Sequence, residues 1–274
     1  MNEESIRLRA RLPAPIGAVR RGLVDAAALR HWLAEHAEVE PPGRYAFWGR
    51  YTPQGEEPRQ RLLHLDDRTL RLSWRLGGEE TIVEVLLEEE SADSTVVTLS
   101  QTCSGHELDG YPMRLVLTVF WSLALGNLID HLTGRPITPP CDHTARELRT
   151  EVTIGAPRTE VFGSLVDSAK FGRWFGIPVE IEPYVGGAWS IPGGGPIGTV
   201  REVEPDLRLS LQEDSGIATW TLADDGEGTL LTFDLSGFAP DRPPYSSWTA
   251  WLSALSSLRR YHELDDWQPA WLTD

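Results

Sequence analysis

The side chains best suited to act on a small molecule lie at alternating positions of two strand-like segments in the first half of the chain. Alternation places Trp74 on the apolar face of one segment and Leu99, Gln101 and Cys103 on the apolar face of the other. A glutamine on an apolar face needs hydrogen-bond partners, so we expect a ligand or a water molecule to satisfy Gln101. We therefore predict that these four residues line a pocket, with ordinary core packing as the competing interpretation.

The second half of the chain offers mainly apolar candidates. Leu235 occupies the position that corresponds to Gln101, which predicts a drier second cavity. Leu207, Leu209 and Leu211 are predicted to share the inward face of another strand. The remaining cavity candidates share an inward position on a strand or on the apolar stripe of a long helix: Trp121, Trp220, Phe233 and Trp251.

No residue pattern identifies a catalytic centre. Acid–base catalysis by paired carboxylates needs two Asp or Glu side chains at inward positions, whereas Glu84 and Asp234 fall on the face opposite the apolar one. The sequence contains no GxSxG element, HExxH helix, P-loop or dinucleotide-binding fingerprint. We therefore assign no catalytic residue and expect no cofactor.

The sequence predicts no metal site. Cys141, Asp142 and His143 bring three ligand types together, but adjacent residues rarely converge on one ion and no fourth ligand is apparent. Among the other histidines, His31 adjoins Trp32 and is interpreted as a surface residue. His131 closes a helix, where a cation suits the helix dipole, so its predicted role is structural.

Composition narrows the class of protein. The 274 residues are 41% hydrophobic and 24% charged, which is enough apolar sequence for a sizeable core. A net charge of −16 disfavours nucleic acid and anionic membrane surfaces as partners. We find no apolar run near the roughly 18 residues of a membrane span and no secretory signal, and two cysteines give no disulfide framework. These features predict a cytoplasmic protein without membrane insertion.

The chain repeats itself once. Ala14-Pro15 matches Ala156-Pro157 and Trp32 matches Trp174, both at an offset of 142 residues. The offset shrinks to 134 in the last strand and to 130 in the long helix, where Trp121 matches Trp251, so the second copy has shorter loops. We predict one domain at 1–140 and another at 141–274, joined by a proline-rich linker at about 133–147.

Each copy has the same predicted order of elements. An alternating strand opens the copy, and a proline starts the first of two short helices. A run of antiparallel strands follows, at 44–51, 61–65, 69–76, 81–88 and 95–103 in the first copy. A long helix closes each copy, at 113–131 and 247–263. The predicted fold is α+β, with a curved antiparallel sheet wrapped on the terminal helix and a cavity between them.

Several stretches resemble a known family. Each copy has an Ala-Pro pair followed by Val and Leu-Val-Asp, and the second copy adds Gly198-Thr-Val-Arg-Glu-Val-Glu-Pro-Asp-Leu-Arg-Leu209 and the helix Trp251–Leu258. These stretches resemble the SRPBCC, or START-like, superfamily with the Bet v 1 helix-grip fold. Within it they resemble the branch named for the activator of heat-shock protein 90 ATPase. The resemblance covers both halves and implies two tandem helix-grip domains whose cavities bind lipids, polyketides or other apolar molecules.

Three hypotheses of function follow. The first is binding of a small apolar ligand in one or both cavities without covalent chemistry. The second is an enzyme of the cyclase or dehydratase type, in which Gln101, Cys103 or a nearby tyrosine orients a polyketide-like substrate. The third is a chaperone-associated interaction module, which predicts an exposed apolar patch. The resemblance does not extend to the cochaperone's separate chaperone-contacting domain, so we expect chaperone activation not to be the main role.

Overall fold

The computed structural model describes residues 4–265 and 267–272. The chain forms two compact units. The first unit runs to Thr144 and also includes the chain from Ala270 onward, and the second covers Ala145–Pro269. We refer to these units as the first and second domains.

The first domain is built from nine strands and three helices among the described residues. In chain order they are β1 (Glu4–Leu12), α1 (Ile16–Val24), α2 (Ala26–Trp32), β2 (His36–Glu40), β3 (Arg44–Trp48), β4 (Gln60–Leu65), β5 (Thr69–Leu76), β6 (Glu79–Ser91), β7 (Ser94–Cys103), β8 (Glu107–Leu108), β9 (Tyr111–Pro112) and α3 (Met113–Leu132). The main sheet is antiparallel with strand order β1-β7-β6-β5-β4, while β2 pairs with β3 separately.

The second domain repeats this order. Its elements are β10 (Leu148–Ile154), α4 (Arg158–Val166), α5 (Ser168–Phe175), β11 (Glu180–Ile181), β12 (Ala188–Ile191), β13 (Gly195–Glu204), β14 (Arg208–Glu213), β15 (Gly216–Asp225), β16 (Gly228–Ser236) and α6 (Tyr245–Glu263). The sheet order is β10-β16-β15-β14-β13-β12-β11, again antiparallel. Both domains thus confirm the predicted α+β helix-grip fold, with two short helices after the first strand and a long helix at the end.

Matching β-bulges occur in the two sheets. The pairing register shifts between Leu62 and His64 in β4 and between Val200 and Glu202 in β13. A bulge increases the local twist and bends its strand, which is how an antiparallel sheet curves around a helix. The strand predictions are correct apart from their ends: β3 stops at Trp48 because Gly49 turns the chain with a φ of 107°.

Three side-chain bonds occur at the same place in both domains. Asp25 and Asp167 cap the second short helix by accepting from the backbone N–H groups of Ala28 (2.8 Å) and Lys170 (2.9 Å). The indole N–H groups of Trp32 and Trp174 donate to the carbonyls of Gly22 and Ser164. The hydroxyl groups of two buried threonines bind the turn before the first helix, namely Thr95 to the carbonyl of Ala14 and Thr229 to that of Ala156. The repeat is therefore a repeat of local contacts as well as of sequence.

Helix α3 corrects one expectation. The segment Met113–Leu132 is long and apolar enough to cross a membrane by length and composition, whereas no run of that kind was expected. Most of the helix is buried inside the first domain, where Leu117, Trp121 and Leu128 belong to the hydrophobic core. Its apolar character is explained by its position in the core, where it contacts residues on most of its circumference.

The end of the described chain lies against the first domain. The backbone N–H of Arg11 donates to the carbonyl of Ala270 (2.8 Å), and that of Leu272 donates to the carbonyl of Arg9 (2.9 Å). Trp271 forms an antiparallel bridge with Ala10 and packs against the core of the first domain. These residues cover the free edge of β1.

Candidate functional site

The interior of the first domain is filled by aromatic rings. Trp74 lies at the centre of the group, with ring centroids 5.0 Å from Phe47, 5.6 Å from Phe120 and 6.0 Å from Trp121. The angles between ring planes are 61–80°, the edge-to-face geometry that aromatic quadrupoles prefer. Trp74 and Trp121, both predicted to line a cavity, are buried and are brought into contact with each other here.

Gln101 has protein partners at both ends of its amide. Its Oε1 accepts from the indole N–H of Trp121 at 2.6 Å, and its Nε2 donates to the hydroxyl of Thr81 at 2.8 Å. That hydroxyl in turn donates to the carbonyl of Trp74. The expectation that a ligand or water satisfies Gln101 is therefore wrong, because Thr81 and Trp121 already do so. Leu99 and Cys103 flank Gln101 on the same buried face, and Cys103 is not in a disulfide.

The interior of the second domain is organised around Trp251 of α6. Its ring centroid lies 4.8 Å from that of Trp220, 5.7 Å from Phe233 and 5.8 Å from both Trp189 and Phe175. The predicted candidates Trp220, Phe233 and Trp251 are thus brought together. We call these five side chains the Trp251 cluster.

Glu213 contacts this cluster, although it was not among the residues predicted from the sequence. It ends β14 on the same face as Leu209 and Leu211, which are fully buried. Its Oε2 accepts from the indole N–H of Trp251 (3.4 Å) and from the hydroxyl of Ser215 (3.2 Å). Its Oε1 is buried without a hydrogen-bond partner. Burial is the main reason why the pKa of Glu213 is raised, with Asp214 adding to the effect and the two hydrogen bonds opposing it.

Two further polar atoms of the Trp251 cluster are also unpaired. The indole N–H groups of Trp189 and Trp220 are buried and have no acceptor among the described residues. The side chains themselves are 4% and 0% exposed. Most buried polar groups in proteins are hydrogen-bonded, so three unpaired atoms on side chains that contact one ring system need an explanation.

The strand registers show which positions correspond in the two domains. Leu99 pairs with Val85 in the first domain, and its counterpart Phe233 pairs with Trp220 in the second. The next strand of the sheet is β5 in the first domain and β14 in the second. When the pairing is followed to these strands, Glu213 lies at the position of Trp74. Trp220 therefore has no tryptophan counterpart, and the polar group of the second interior comes from a different strand than Gln101.

The alternation along β14 contained the signal for Glu213. The inward face proposed for Leu207, Leu209 and Leu211 continues by the same period to residue 213. The prediction for Leu207 is wrong, because this residue precedes β14 in a turn and is 37% exposed. The inward face is therefore Leu209, Leu211 and Glu213.

Small side chains lie beside Glu213. It pairs with Gly216, and Leu211 pairs with the buried Ala218. The corresponding positions of the first domain hold the larger Thr81 and Val83. A Cβ at Gly216 would lie 2.3 Å from the carbonyl oxygen of Ser236, so this position excludes other residues unless the backbone moves. The second interior therefore has less side-chain volume at this end of the sheet.

Four clefts formed by described residues lie outside the Trp251 cluster. One of about 540 Å³ includes Lys170, Arg173 and Tyr261, and one of about 580 Å³ includes Ile177 and Pro178. One of about 390 Å³ follows the outer face of the second sheet, where burial raises the pKa of Asp234. A fourth, of about 560 Å³, runs along residues 57–61 and the neighbouring strands. The rings of the Trp251 cluster contact one another, with centroids 4.8–5.8 Å apart, so a ligand that enters between them separates them.

Other candidates from the sequence have structural surroundings. The described residues hold no group of three or more His, Cys, Asp or Glu side chains placed to bind a metal ion. The Nδ1 atoms of His31 and His131 are 3.1 Å apart, so two histidines treated separately in the sequence are neighbours. Burial, followed by the proximity of His31, lowers the pKa of His131. Glu84 lies near Arg71 (4.0 Å), on the outer face as predicted.

Part of the second domain matches a known protein family. Residues 155–263 match the family model described as "Activator of Hsp90 ATPase homolog 1-like protein". No curated protein matches the chain.

Solved structures similar to the chain have TM-scores near 0.4. DynU16, a protein in the dynemicin biosynthetic locus, is 16% identical over 95% of this chain and 99% of its own, with a TM-score of 0.37. CalU16 from Micromonospora echinospora is 25% identical over 52% of this chain and 73% of its own (TM-score 0.41). Aha1 from Colwellia psychrerythraea is 17% identical over 44% of this chain and 98% of its own, with a TM-score of 0.39.

The family match lies in the second domain, and the first domain repeats the same order of strands and helices. The chain therefore has two tandem domains with one order of elements, and the second is similar to the activator of Hsp90 ATPase homologue 1-like family over residues 155–263.

Proposed function

We propose that the second domain binds a small, largely apolar molecule between its sheet and α6, without covalent chemistry, and that the first domain is a structural copy. One observation carries the proposal: three buried polar atoms around Trp251 have no partner, namely Oε1 of Glu213 and the N–H groups of Trp189 and Trp220. The polar atoms of Gln101 and the indole N–H of Trp121 in the first domain are bonded within the protein.

The energetic argument concerns these unpaired atoms. Leaving a buried donor or acceptor without a partner costs about 1–3 kcal/mol. A ligand that supplies partners recovers that cost, and its apolar body gains the contacts offered by five aromatic side chains. Because the rings of the Trp251 cluster contact one another, binding is coupled to their separation. Fold-level similarity supports the same conclusion, since the superfamily resemblance implies a ligand cavity at this place in the fold.

The test is a binding experiment with a matched pair of variants. The probe is N-phenyl-naphthylamine, an apolar molecule whose fluorescence rises when it leaves water. Ala218→Val installs in the second domain the side chain that the first domain has at Val83, and Val83→Ile adds a methylene group at the corresponding position of the first domain. We expect saturable binding to the wild type, at least tenfold weaker binding to Ala218→Val, and unchanged binding to Val83→Ile.

Two outcomes contradict the proposal. Absence of saturable binding to the wild type removes it. If Val83→Ile loses binding while Ala218→Val keeps it, the site lies in the first domain. Circular dichroism melts of both variants separate the loss of a site from the loss of a fold.

A second candidate function is a chaperone-associated interaction module. Three large apolar residues of the segment between α5 and β12 are exposed: Ile177 by 42%, Tyr184 by 57% and Val185 by 68%. Exposed apolar side chains close in sequence are typical of interaction surfaces. Calorimetric titration with purified heat-shock protein 90 tests this candidate. Binding that is lost in Tyr184→Ser/Val185→Ser supports it, and no heat of binding counts against it.

A further inference from the structure

The carboxylate of Glu213 has no countercharge within the part of the chain that the structure describes. No described Arg, Lys or His nitrogen lies within 4.0 Å of its oxygens, whereas Arg208 of the same strand pairs with Glu202. The neighbouring charge is Asp214, of the same sign. We propose that the ligand of the Trp251 cluster carries a protonated amine and that Glu213 binds it. This inference depends on the proposed function and specifies its ligand class.

The aromatic rings favour the same type of ligand. The π-face of an indole or phenyl ring carries partial negative charge and attracts a cation. Trp220 stands nearly perpendicular to Trp251 (79°), while Trp189 and Phe175 are inclined to it by 34° and 39°. A cation that separates these rings meets ring faces of several orientations together with the free Oε1 of Glu213.

The charge of the surrounding domain points in the same direction. Residues 141–274 hold 10 basic and 21 acidic side chains, against 15 and 20 in residues 1–140. The excess of negative charge concentrates cations near the second domain and repels carboxylates and phosphates. An anionic ligand would also have to approach Glu213 itself.

The two indole N–H groups define the rest of the ligand. Trp189 and Trp220 can only donate, so an ammonium group cannot satisfy them. A hydroxyl or carbonyl oxygen on the apolar body can accept from either. The ligand class is therefore an amphiphilic amine with an apolar, oxygen-bearing body.

Three probes with one aromatic body separate the alternatives: naphthylmethylamine, naphthylmethanol and methylnaphthalene. At pH 7 naphthylmethylamine carries a positive charge and naphthylmethanol is a neutral hydrogen-bond donor. Methylnaphthalene has neither a charge nor a hydrogen-bond donor. Binding is measured by quenching of tryptophan fluorescence with the wild type, Glu213→Gln and Asp234→Asn. The last variant is a matched control, because it also removes a carboxylate from the second domain, but on the outer face.

We expect the amine to bind the wild type at least tenfold more tightly than the alcohol. Glu213→Gln should remove this preference, and Asp234→Asn should keep it. Equal affinity for the amine and the alcohol overturns the amine assignment while leaving ligand binding in place. A preference that survives Glu213→Gln also overturns it, because surface charge then explains the preference. Failure of all three probes to bind counts against the proposed function itself.

Discussion

Trp121 and Trp251 occupy the same position in the two domains, yet their indole N–H groups have different acceptors. In the first domain the acceptor is the neutral Gln101 of β7, whose other end is held by Thr81. In the second it is the carboxylate of Glu213 from β14, with one oxygen unpaired. Leu235 replaces Gln101, and Glu213 replaces Trp74. The two copies thus share a scaffold and differ in the strand that carries the buried polar group.

This difference separates structural from functional roles. An amide whose oxygen and nitrogen both have protein partners, within a packed aromatic group, stabilises a core. A partly buried carboxylate with one buried, unpaired oxygen costs folding free energy, and proteins commonly retain such groups at functional sites. We therefore interpret the first interior as a core and the second as a site.

The largest expected effect comes from giving the first domain the chemistry of the second. Gln101→Glu places a carboxylate at a position that is 0% exposed, where both hydrogen-bond partners, Trp121 and Thr81, are neutral. We expect a loss of about 3–5 kcal/mol in the stability of the first domain at neutral pH, the cost of an uncompensated buried charge. Urea unfolding followed by hydrogen exchange in each domain measures it. A loss below about 1 kcal/mol would show that the first interior tolerates charge as the second does.

The next effect tests what the domains share. Thr95 and Thr229 are fully buried, and their hydroxyl groups donate to Ala14 and Ala156 at 2.8 and 2.7 Å. Thr95→Val and Thr229→Val each leave a carbonyl without this donor, and we expect each to cost about 1–3 kcal/mol. Urea unfolding of each variant measures the change in its own domain. A clear cost in only one domain would contradict the shared scaffold.

A smaller effect of opposite sign is expected in the second domain. Glu213→Gln keeps the shape of the side chain and the acceptor for Trp251 but removes a buried charge. We expect the second domain to become more stable by about 1 kcal/mol at neutral pH, since a charged carboxylate is replaced by a neutral amide that costs less to bury. Differential scanning calorimetry measures the shift. Destabilisation by this variant would mean that Glu213 is a structural residue.

The smallest effect concerns pH. Burial lowers the pKa of His131 in the first domain and of His262 in the second below the usual 6.5, so protonation favours the unfolded chain. The contribution of these two histidines to folding stability is complete above pH 6.5 and is lost as the pH falls below that value.

Glu213 has the opposite effect on the pH dependence of stability. Its raised pKa means that the folded state binds the proton more tightly than the unfolded chain does. Its penalty therefore develops as the pH rises above its usual value of 4.5. The second domain should lose less stability on acidification than the first, and Glu213→Gln should reduce that difference. Equal slopes of stability against pH in the two domains would contradict this expectation.

The sequence was sufficient for the scaffold and insufficient for the site. Repeated prolines, tryptophans and threonines predicted the two domains and most strand bounds, because each copy needs the same local contacts. Glu213 was missed because a charged residue at the end of a strand is usually solvated, although the alternation of β14 places it on the inward face, where the structure shows its contact with Trp251. The loops that change the offset also hid the correspondence of Trp74 with Glu213. That correspondence depends on strand register, which pairwise matches of residues do not reveal.

The most direct test of the central claim is the indole N–H region of a nitrogen–proton NMR spectrum, recorded during a titration with naphthylmethylamine. Each tryptophan gives one signal there, so both interiors are observed in one experiment. We predict that the signals of Trp189, Trp220 and Trp251 shift while those of Trp74 and Trp121 stay in place. Shifts at Trp74 and Trp121, or no shift at any indole, would contradict the claim that the second interior is a binding site and the first a core.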